Sequence, residues 1–66
     1  MSWIVDYITP KTTSVIARVD SSKAAANWAQ DNSDRPLTWK KGGCHRSYYW
    51  SSSTDTAGGY FIIRPA

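Results

Sequence analysis

One short stretch of the sequence holds the residues best suited to chemistry. Cys44 and His45 are adjacent, and they are the only cysteine and the only histidine in the chain of 66 residues. A thiol can be activated by an imidazole only when the two groups lie within hydrogen-bonding distance. Neighbouring residues of a β-strand point to opposite faces, so these two side chains diverge in a strand. We therefore interpret both as ordinary strand residues and expect no catalytic residue.

Other catalytic and metal-binding patterns do not occur in the sequence. The serines lack the glycine pattern of a nucleophile elbow, and the five aspartates are scattered singly. Neither of the two Gly-Gly pairs precedes a predicted helix, as a phosphate-binding loop requires. A lone cysteine forms neither an internal disulfide nor a cysteine-rich zinc site. We expect a non-enzymatic protein with no cofactor and no metal; an enzyme that uses Cys44 is the alternative of that class.

The stretch from residue 37 to residue 50, LTWKKGGCHRSYYW, is also rich in basic and aromatic residues. Five of these are predicted to surround the turn of a hairpin: Lys40, Lys41, His45, Arg46 and Tyr49. Such a mixture suits the stacking of bases and the neutralisation of phosphates. It equally suits protein docking, because Tyr, Trp and Arg predominate in interface hot spots. We interpret the five residues as an interaction surface for a protein or nucleoprotein complex, with nucleic acid as the alternative partner.

The hairpin itself is predicted from Gly42-Gly43, because both central residues of a type I′ turn need a positive φ. This turn implies three cross-strand pairs: Lys41 with Cys44, Trp39 with Arg46, and Leu37 with Tyr48. The alternation of side chains then divides the stretch between two faces. One face carries Leu37, Trp39, Lys41, Cys44, Arg46, Tyr48 and Trp50, and we expect it to meet the core at its Leu37, Tyr48 and Trp50 end. Lys40 and Tyr49 share the other.

The elements that must hold this hairpin precede and follow it. Residues 3–8 and 14–19 are β-branched and aromatic, which favours two strands joined by a turn at Pro10. The predicted pairs are Trp3 with Val19, Val5 with Ala17, and Tyr7 with Val15, which make one face wholly apolar. The reverse face then carries Ile4, Asp6, Ile8, Ile16 and Arg18. On it, Asp6 and Arg18 are predicted to pair diagonally.

A helix is predicted over residues 22–31. Ser21 is suited to cap it, and Ala24, Ala25, Trp28 and Ala29 recur at helical spacing on one face. A last strand is predicted over residues 60–64, after a polar loop. The order is therefore β-β-α-β-β-β. We predict an α+β fold, a small antiparallel sheet with one helix packed on it, in a single domain over residues 1–66.

Composition and charge narrow the class of protein further. The net charge is +3, a mild excess compatible with nucleic acid or with an acidic protein partner. The first residues, MSWIVDY, lack the features of a signal peptide, and no apolar run approaches the roughly 18 residues that span a bilayer. We expect a whole small gene product in the cytoplasm, without membrane association. An unpaired sheet edge is compatible with a monomer or a homodimer.

The strands WIVDYI and SVIARV, the serine-capped helix SSKAAANWAQ and the terminal hairpin together resemble the plan of small inhibitor proteins of phages and mobile elements, in particular anti-CRISPR proteins. The resemblance covers the general plan of the whole chain. It implies a non-enzymatic inhibitor that binds a nucleoprotein surveillance complex in the bacterial host cytoplasm and blocks DNA engagement. Many members are acidic DNA mimics. The positive charge here argues against mimicry and favours contact with acidic protein surface, guide RNA or DNA, or steric covering of a subunit.

Overall fold

The computed structural model describes residues 2–44 and 48–66. Within them lie six elements: β1 (Trp3–Ile8), β2 (Thr13–Val19), α1 (Ser22–Asp31), β3 (Trp39–Gly42), β4 (Tyr49–Ser52) and β5 (Tyr60–Pro65). The five strands form one antiparallel sheet in the order β2-β1-β5-β4-β3. The predicted α+β class and the predicted order of elements are confirmed.

The core lies between α1 and one face of this sheet. Its buried residues are Val5, Ala25, Ala29, Phe61 and Ile63, and Val5 is fully buried. The two alanines let the helix approach the strands closely, as their small side chains predict. We call this side of the sheet the helix-covered face. The other side, on which no described element packs as a second layer, is the open face.

The helix begins and ends where its sequence indicates. The Ser21 hydroxyl accepts a hydrogen bond of 3.1 Å from the backbone N–H of Ala24, which satisfies one of the unpaired donors of the first turn. At the other end, the Asn32 side-chain amide donates to the carbonyl of Trp28 over 2.8 Å. The predicted range and the predicted cap are both confirmed.

The first hairpin contains a β-bulge that its alternating sequence does not reveal. Trp3 faces Val19 and Val5 faces Ala17, as predicted, but the register then shifts between Val5 and Asp6. Beyond the shift, Tyr7 faces Ser14, so the predicted pair of Tyr7 with Val15 is wrong. A bulge places two residues of one strand opposite one of the other, which reverses the faces of every residue beyond it.

The bulge exchanges the positions expected for two apolar residues of β2. Val15 was expected to point inward, but it faces Asp6 on the open side and is 63% exposed. Ile16 was expected on the reverse face, but it lines a shallow groove on the helix side together with Trp28. The extra residue of the bulge is therefore the one that extends the apolar surface beside the helix.

Asp6 is buried, and its partner is not the one predicted. Arg64 donates from Nε to the Asp6 carboxylate over 2.7 Å, so the predicted pairing with Arg18 is wrong. The reason is the strand order, because β5 lies beside β1 and brings Arg64 diagonally across from Asp6 on the same face. A buried carboxylate needs a charged or hydrogen-bonding partner. This ion pair satisfies that need at the centre of the open face.

Candidate functional site

The second hairpin pairs its strands in a different register from the one predicted. Trp39 faces Ser52, Lys41 faces Trp50 and Gly42 faces Tyr49. Gly42 therefore lies within β3 and faces Tyr49 of β4, so the predicted two-residue turn and its three pairs are wrong. Only Gly43 of the pair has a positive φ, of 79°.

Gly42 has a packing role in place of the predicted turn role. A Cβ atom at this position would lie 2.7 Å from Cζ of the Tyr49 ring, closer than real side-chain contacts allow. The ring thus lies directly over the glycine backbone of the facing strand. A glycine in a strand often marks such a close approach, and an aromatic side chain across from it restores the missing contact area.

The new register nevertheless leaves Trp39, Lys41 and Trp50 on one face and Lys40 and Tyr49 on the other, as predicted. The observed partner of Lys41 is Trp50, which lies six positions further along the chain than the predicted partner, Cys44. Because the side-chain period of a strand is two, an even displacement does not exchange the faces. Trp39 and Trp50 pack against the core as expected. Lys40 and Tyr49 lie together on the open face.

The structure describes three of the five predicted site residues and divides them between the two faces of the sheet. Lys40 and Tyr49 are exposed neighbours on the open face. Lys41 is exposed on the other side of the same strand. His45 and Arg46 lie outside the described residues. The predicted cluster is therefore divided, and the pair on the open face is the part that the structure places on one surface.

Lys41 makes its contacts within the chain. Its Nζ lies 5.1 Å from the centroid of the Tyr48 ring, which in turn meets Trp3 edge to face at 5.8 Å. A cation over an aromatic ring contributes about 0.5–1 kcal/mol at exposed sites. We therefore regard Lys41 as a residue that supports the sheet end, and not as a member of the open-face surface.

A groove of about 420 Å³ crosses the open face beside Tyr49. Ile8 and Ile62 provide apolar lining, and the ion pair of Asp6 with Arg64 lies in it. The Arg64 side chain is 42% exposed while that of Asp6 is 9% exposed. The guanidinium is therefore fixed by a buried carboxylate yet remains open to solvent.

Arg64 is a site residue that the sequence interpretation omitted. The alternation of YFIIR indicates that Arg64 lies on the face away from the core, because Phe61 and Ile63 share one face and Ile62 and Arg64 share the other. The strand order could not be read from that alternation. Because β5 lies between β1 and β4, Arg64 comes to the middle of the sheet near Tyr49.

The charges of the open face are mainly positive. Lys40, Arg18 and Arg64 project from β3, β2 and β5, whereas the one acidic strand residue on this face, Asp6, is already paired. Such a surface can bind an anionic group next to an aromatic ring. Among the described residues, no group of three or more His, Cys, Asp or Glu side chains is arranged to hold a metal ion.

The shifted pKa values belong to a structural contact elsewhere. Tyr7 donates a hydrogen bond of 2.5 Å to Asp55, and this bond raises the pKa of the Tyr7 hydroxyl and lowers the pKa of the Asp55 carboxyl. The backbone N–H of Gly59 also donates to Asp55, over 3.0 Å. These groups fasten the loop before β5 to β1. They do not line the open-face groove.

Known proteins provide no further guide to the site. Comparison of the chain with protein-family models, with curated proteins and with solved structures gives no match. In the part of the chain that the structure describes, no helix has both the length and the apolar character needed to cross a bilayer. The open face, with Lys40, Tyr49 and Arg64, is the surface from which a function must be argued.

Proposed function

We propose that this chain is a small non-enzymatic inhibitor that docks through the open face of its sheet onto a larger nucleoprotein or protein complex and blocks its activity. The observation that carries the proposal is an uncovered sheet face on which Tyr49 and a fixed, half-exposed Arg64 border one groove. The plan of the chain, which resembles anti-CRISPR proteins, supports a surveillance complex in the bacterial cytoplasm as the target.

The surface is preorganised for binding. Asp6 fixes the Arg64 guanidinium through Nε, and the ring of Tyr49 lies over Gly42 of the facing strand. Both residues lie on strands and not on loops, so little backbone freedom remains to be lost on association. Tyr and Arg are also among the residues that contribute most to interface energies.

The charge of the surface indicates the chemistry of the partner. Lys40, Arg18 and Arg64 face solvent on the same side of the sheet, and a like-charged partner would be repelled. A partner with acidic side chains, or with the phosphates of guide RNA or DNA, complements this surface. Complementary charge also raises the rate of encounter at low ionic strength.

The direct test is inhibition in cells. The chain is expressed in bacterial strains that each carry one type of CRISPR immunity against a phage, and the plaquing efficiency of that phage is measured. We expect the efficiency to rise in at least one strain, because an occupied complex cannot engage DNA. Affinity capture from that strain, with and without nuclease treatment, should retain the same complex. Unchanged plaquing across the whole panel would contradict the proposal.

Direct binding of nucleic acid is the second candidate. The observation in its favour is the Tyr49 ring, which is 36% exposed beside Lys40 and can stack on an unpaired base. Fluorescence anisotropy with short single- and double-stranded DNA and RNA tests it. This candidate requires binding at low salt that weakens steeply as salt rises, because each neutralised phosphate releases counterions. Absence of binding at low salt eliminates it.

A further inference from the structure

One edge of the Arg64 guanidinium remains available to a partner. Its Nε donates to the Asp6 carboxylate, but no described residue accepts a hydrogen bond from either terminal nitrogen. A guanidinium presents five N–H donors in a rigid fork, and its two terminal nitrogens together can hold a carboxylate through two parallel bonds. The side chain is partly exposed, so this edge can be reached from solvent. The open-face groove therefore has one position that suits an anionic group.

A second arginine lies in the same row of the sheet. Ile4 faces Arg64 on one side and Arg18 on the other, so both arginines belong to one row across three strands. Neighbouring strands are about 4.8 Å apart, which separates the two arginine Cα atoms by about 10 Å. Arg18 is exposed. Its charge offsets the repulsion that Asp6 exerts on an incoming carboxylate.

Beyond the arginine, the groove is lined by apolar side chains along the strand direction. Ile62 lies two positions along β5 from Arg64, about 7 Å away. Ile8 of β1 faces Tyr60, which lies four positions from Arg64 and therefore about 14 Å away. Both isoleucines are half-buried and line the groove. Along its length the groove thus offers one cationic position followed by two apolar ones.

We propose that the groove binds an extended acidic segment of a protein partner, in which one Asp or Glu and two large apolar residues occupy every second position. The inference rests on the proposed docking through the open face. Alternate side chains of an extended chain point the same way, about 7 Å apart, and this spacing matches the three positions of the groove. The carboxylate meets Arg64, and the two apolar side chains meet Ile62 and Ile8. The segment runs along the groove in either direction.

A nucleic acid strand fits the same pattern less well. It carries a phosphate on every nucleotide, so a charge placed beside Arg64 is followed by another along the groove. That second charge lies near Ile62 and the buried carboxylate of Asp6, which face each other across β5 and β1. A charge against an apolar side chain loses hydration without gaining a partner. The groove therefore favours a protein segment, in which a single charged residue can be followed by apolar ones.

Titration with a designed peptide, followed by nuclear magnetic resonance of the backbone amides, tests the proposal. The probe is the blocked peptide Ser-Glu-Ser-Leu-Ser-Leu-Ser-Glu-Ser, which has the proposed spacing in both directions. We expect saturable shifts of the amide signals of Ile8, Ile62 and Arg64 at millimolar concentration or below. The control peptide Ser-Glu-Leu-Ser-Ser-Ser-Leu-Glu-Ser has the same composition, but its extended form puts leucines and glutamates on opposite sides. It should bind roughly fivefold more weakly or worse.

A glutamine version of the probe measures the contribution of Arg64. Replacement of both glutamates should weaken binding to the wild type roughly tenfold, because hydrogen bonds between charged groups are the stronger ones. Arg64→Lys keeps the charge and can still pair with Asp6, but it lacks the fork, so this ratio should fall to about twofold. Arg35→Lys, the same change at an exposed position between α1 and β3, is the matched control and should leave the ratio at its wild-type value.

Several outcomes would overturn the proposal. They are the absence of shifts at millimolar peptide, equal binding of the control peptide, and equal binding of the glutamine version. Shifts of the groove signals by a short single-stranded oligothymidylate but not by the peptide would assign the groove to nucleic acid instead. The titration uses the chain alone, so its failure leaves the proposed inhibition to the plaquing test. Unchanged plaquing together with peptide binding would reject only the inhibition.

Discussion

At the scale of single residues, an alanine substitution at one of two glycines tests stability, and at the other it tests docking. A Cβ atom at Gly59 would collide with the Tyr7 ring and hydroxyl, and a Cβ atom at Gly42 would meet the Tyr49 ring. Tyr7 is bound to Asp55 and contacts Phe61, with ring centroids 5.1 Å apart, so it cannot move away freely. The Tyr49 side chain is exposed, so its ring can move toward solvent.

We therefore expect Gly59→Ala to lower the free energy of unfolding by about 1–3 kcal/mol, the usual cost of an added methyl group in a packed site. Gly42→Ala should lower it by less, but should weaken docking, because it displaces the Tyr49 ring. Urea unfolding measures the first effect and capture of the partner measures the second. Equal losses of stability would contradict the different mobility assigned to the two rings.

The bond between Tyr7 and Asp55 makes part of the stability depend on pH. The hydrogen bond from Tyr7 lowers the pKa of Asp55 in the folded chain below its ordinary value of 3.8. The unfolded chain then binds more protons near that pH, so the stabilisation is present above the ordinary value and is lost as pH falls through the lowered one. Asp34 acts in the same direction, since its pKa is lowered by the hydrogen bond with Thr56.

We expect the free energy of unfolding to fall as pH drops below about 5, and to fall less in a Tyr7→Phe variant, which loses the donor. Urea unfolding at several pH values measures both slopes. The two proteins should differ most near neutral pH and converge in acid. An identical pH dependence in the variant and the wild type would show that this bond does not lower the pKa of Asp55.

At the scale of elements, the helix and the strands of the first hairpin were predictable, and two local irregularities were not. Ser21 and the alanine spacing define α1 through interactions within a few residues of each other. The bulge in β2 brings Ile16 to the same groove as Trp28 of the helix, and Gly42 lies under the Tyr49 ring of the facing strand. Such contacts form only after distant segments are brought together.

The faces of the residues that pair in β3 and β4 were predicted correctly, although every predicted pair was wrong. The observed register differs from the predicted one by an even number of positions. Because the side-chain period of a strand is two, Trp39 and Trp50 stay on the face opposite to Tyr49. The position of Arg64 could not be predicted. The alternation of side chains along a strand shows which face each residue occupies, but not which strands lie beside it. Strand order decides which residues from different strands share a groove.

The helix cap offers a prediction at this scale. Ser21→Ala removes the acceptor for the Ala24 N–H and should lower the free energy of unfolding by about 1 kcal/mol. Ser22→Ala, one residue later in the first turn, is the matched control and should change it little, because its hydroxyl makes no hydrogen bond that the described part of the chain shows. Thermal or urea unfolding measures both. Equal effects would mean that the cap contributes nothing specific.

At the scale of the whole molecule, the sheet divides the chain into a side covered by the helix and an open side, where we propose the contact. Val5, Phe61 and Ile63 lie beneath α1, and Asp6 and Arg64 lie on the uncovered side. The sequence placed the contact surface at a hairpin tip. We propose the adjoining sheet face instead, because Lys40 and Tyr49 share it with Arg64 while Lys41 does not.

Adjacent lysines on opposite faces of β3 provide the most direct test of this account. Lys40→Glu and Lys41→Glu change the same charge by the same amount in neighbouring exposed residues. The measurement is the affinity of each variant for the complex captured by the wild type, with plaquing efficiency as the cellular readout. We expect Lys40→Glu to weaken binding by about tenfold or more, as for an interface charge, and Lys41→Glu to leave it within about twofold. Equal losses, or a larger loss for Lys41→Glu, would contradict docking through the open face.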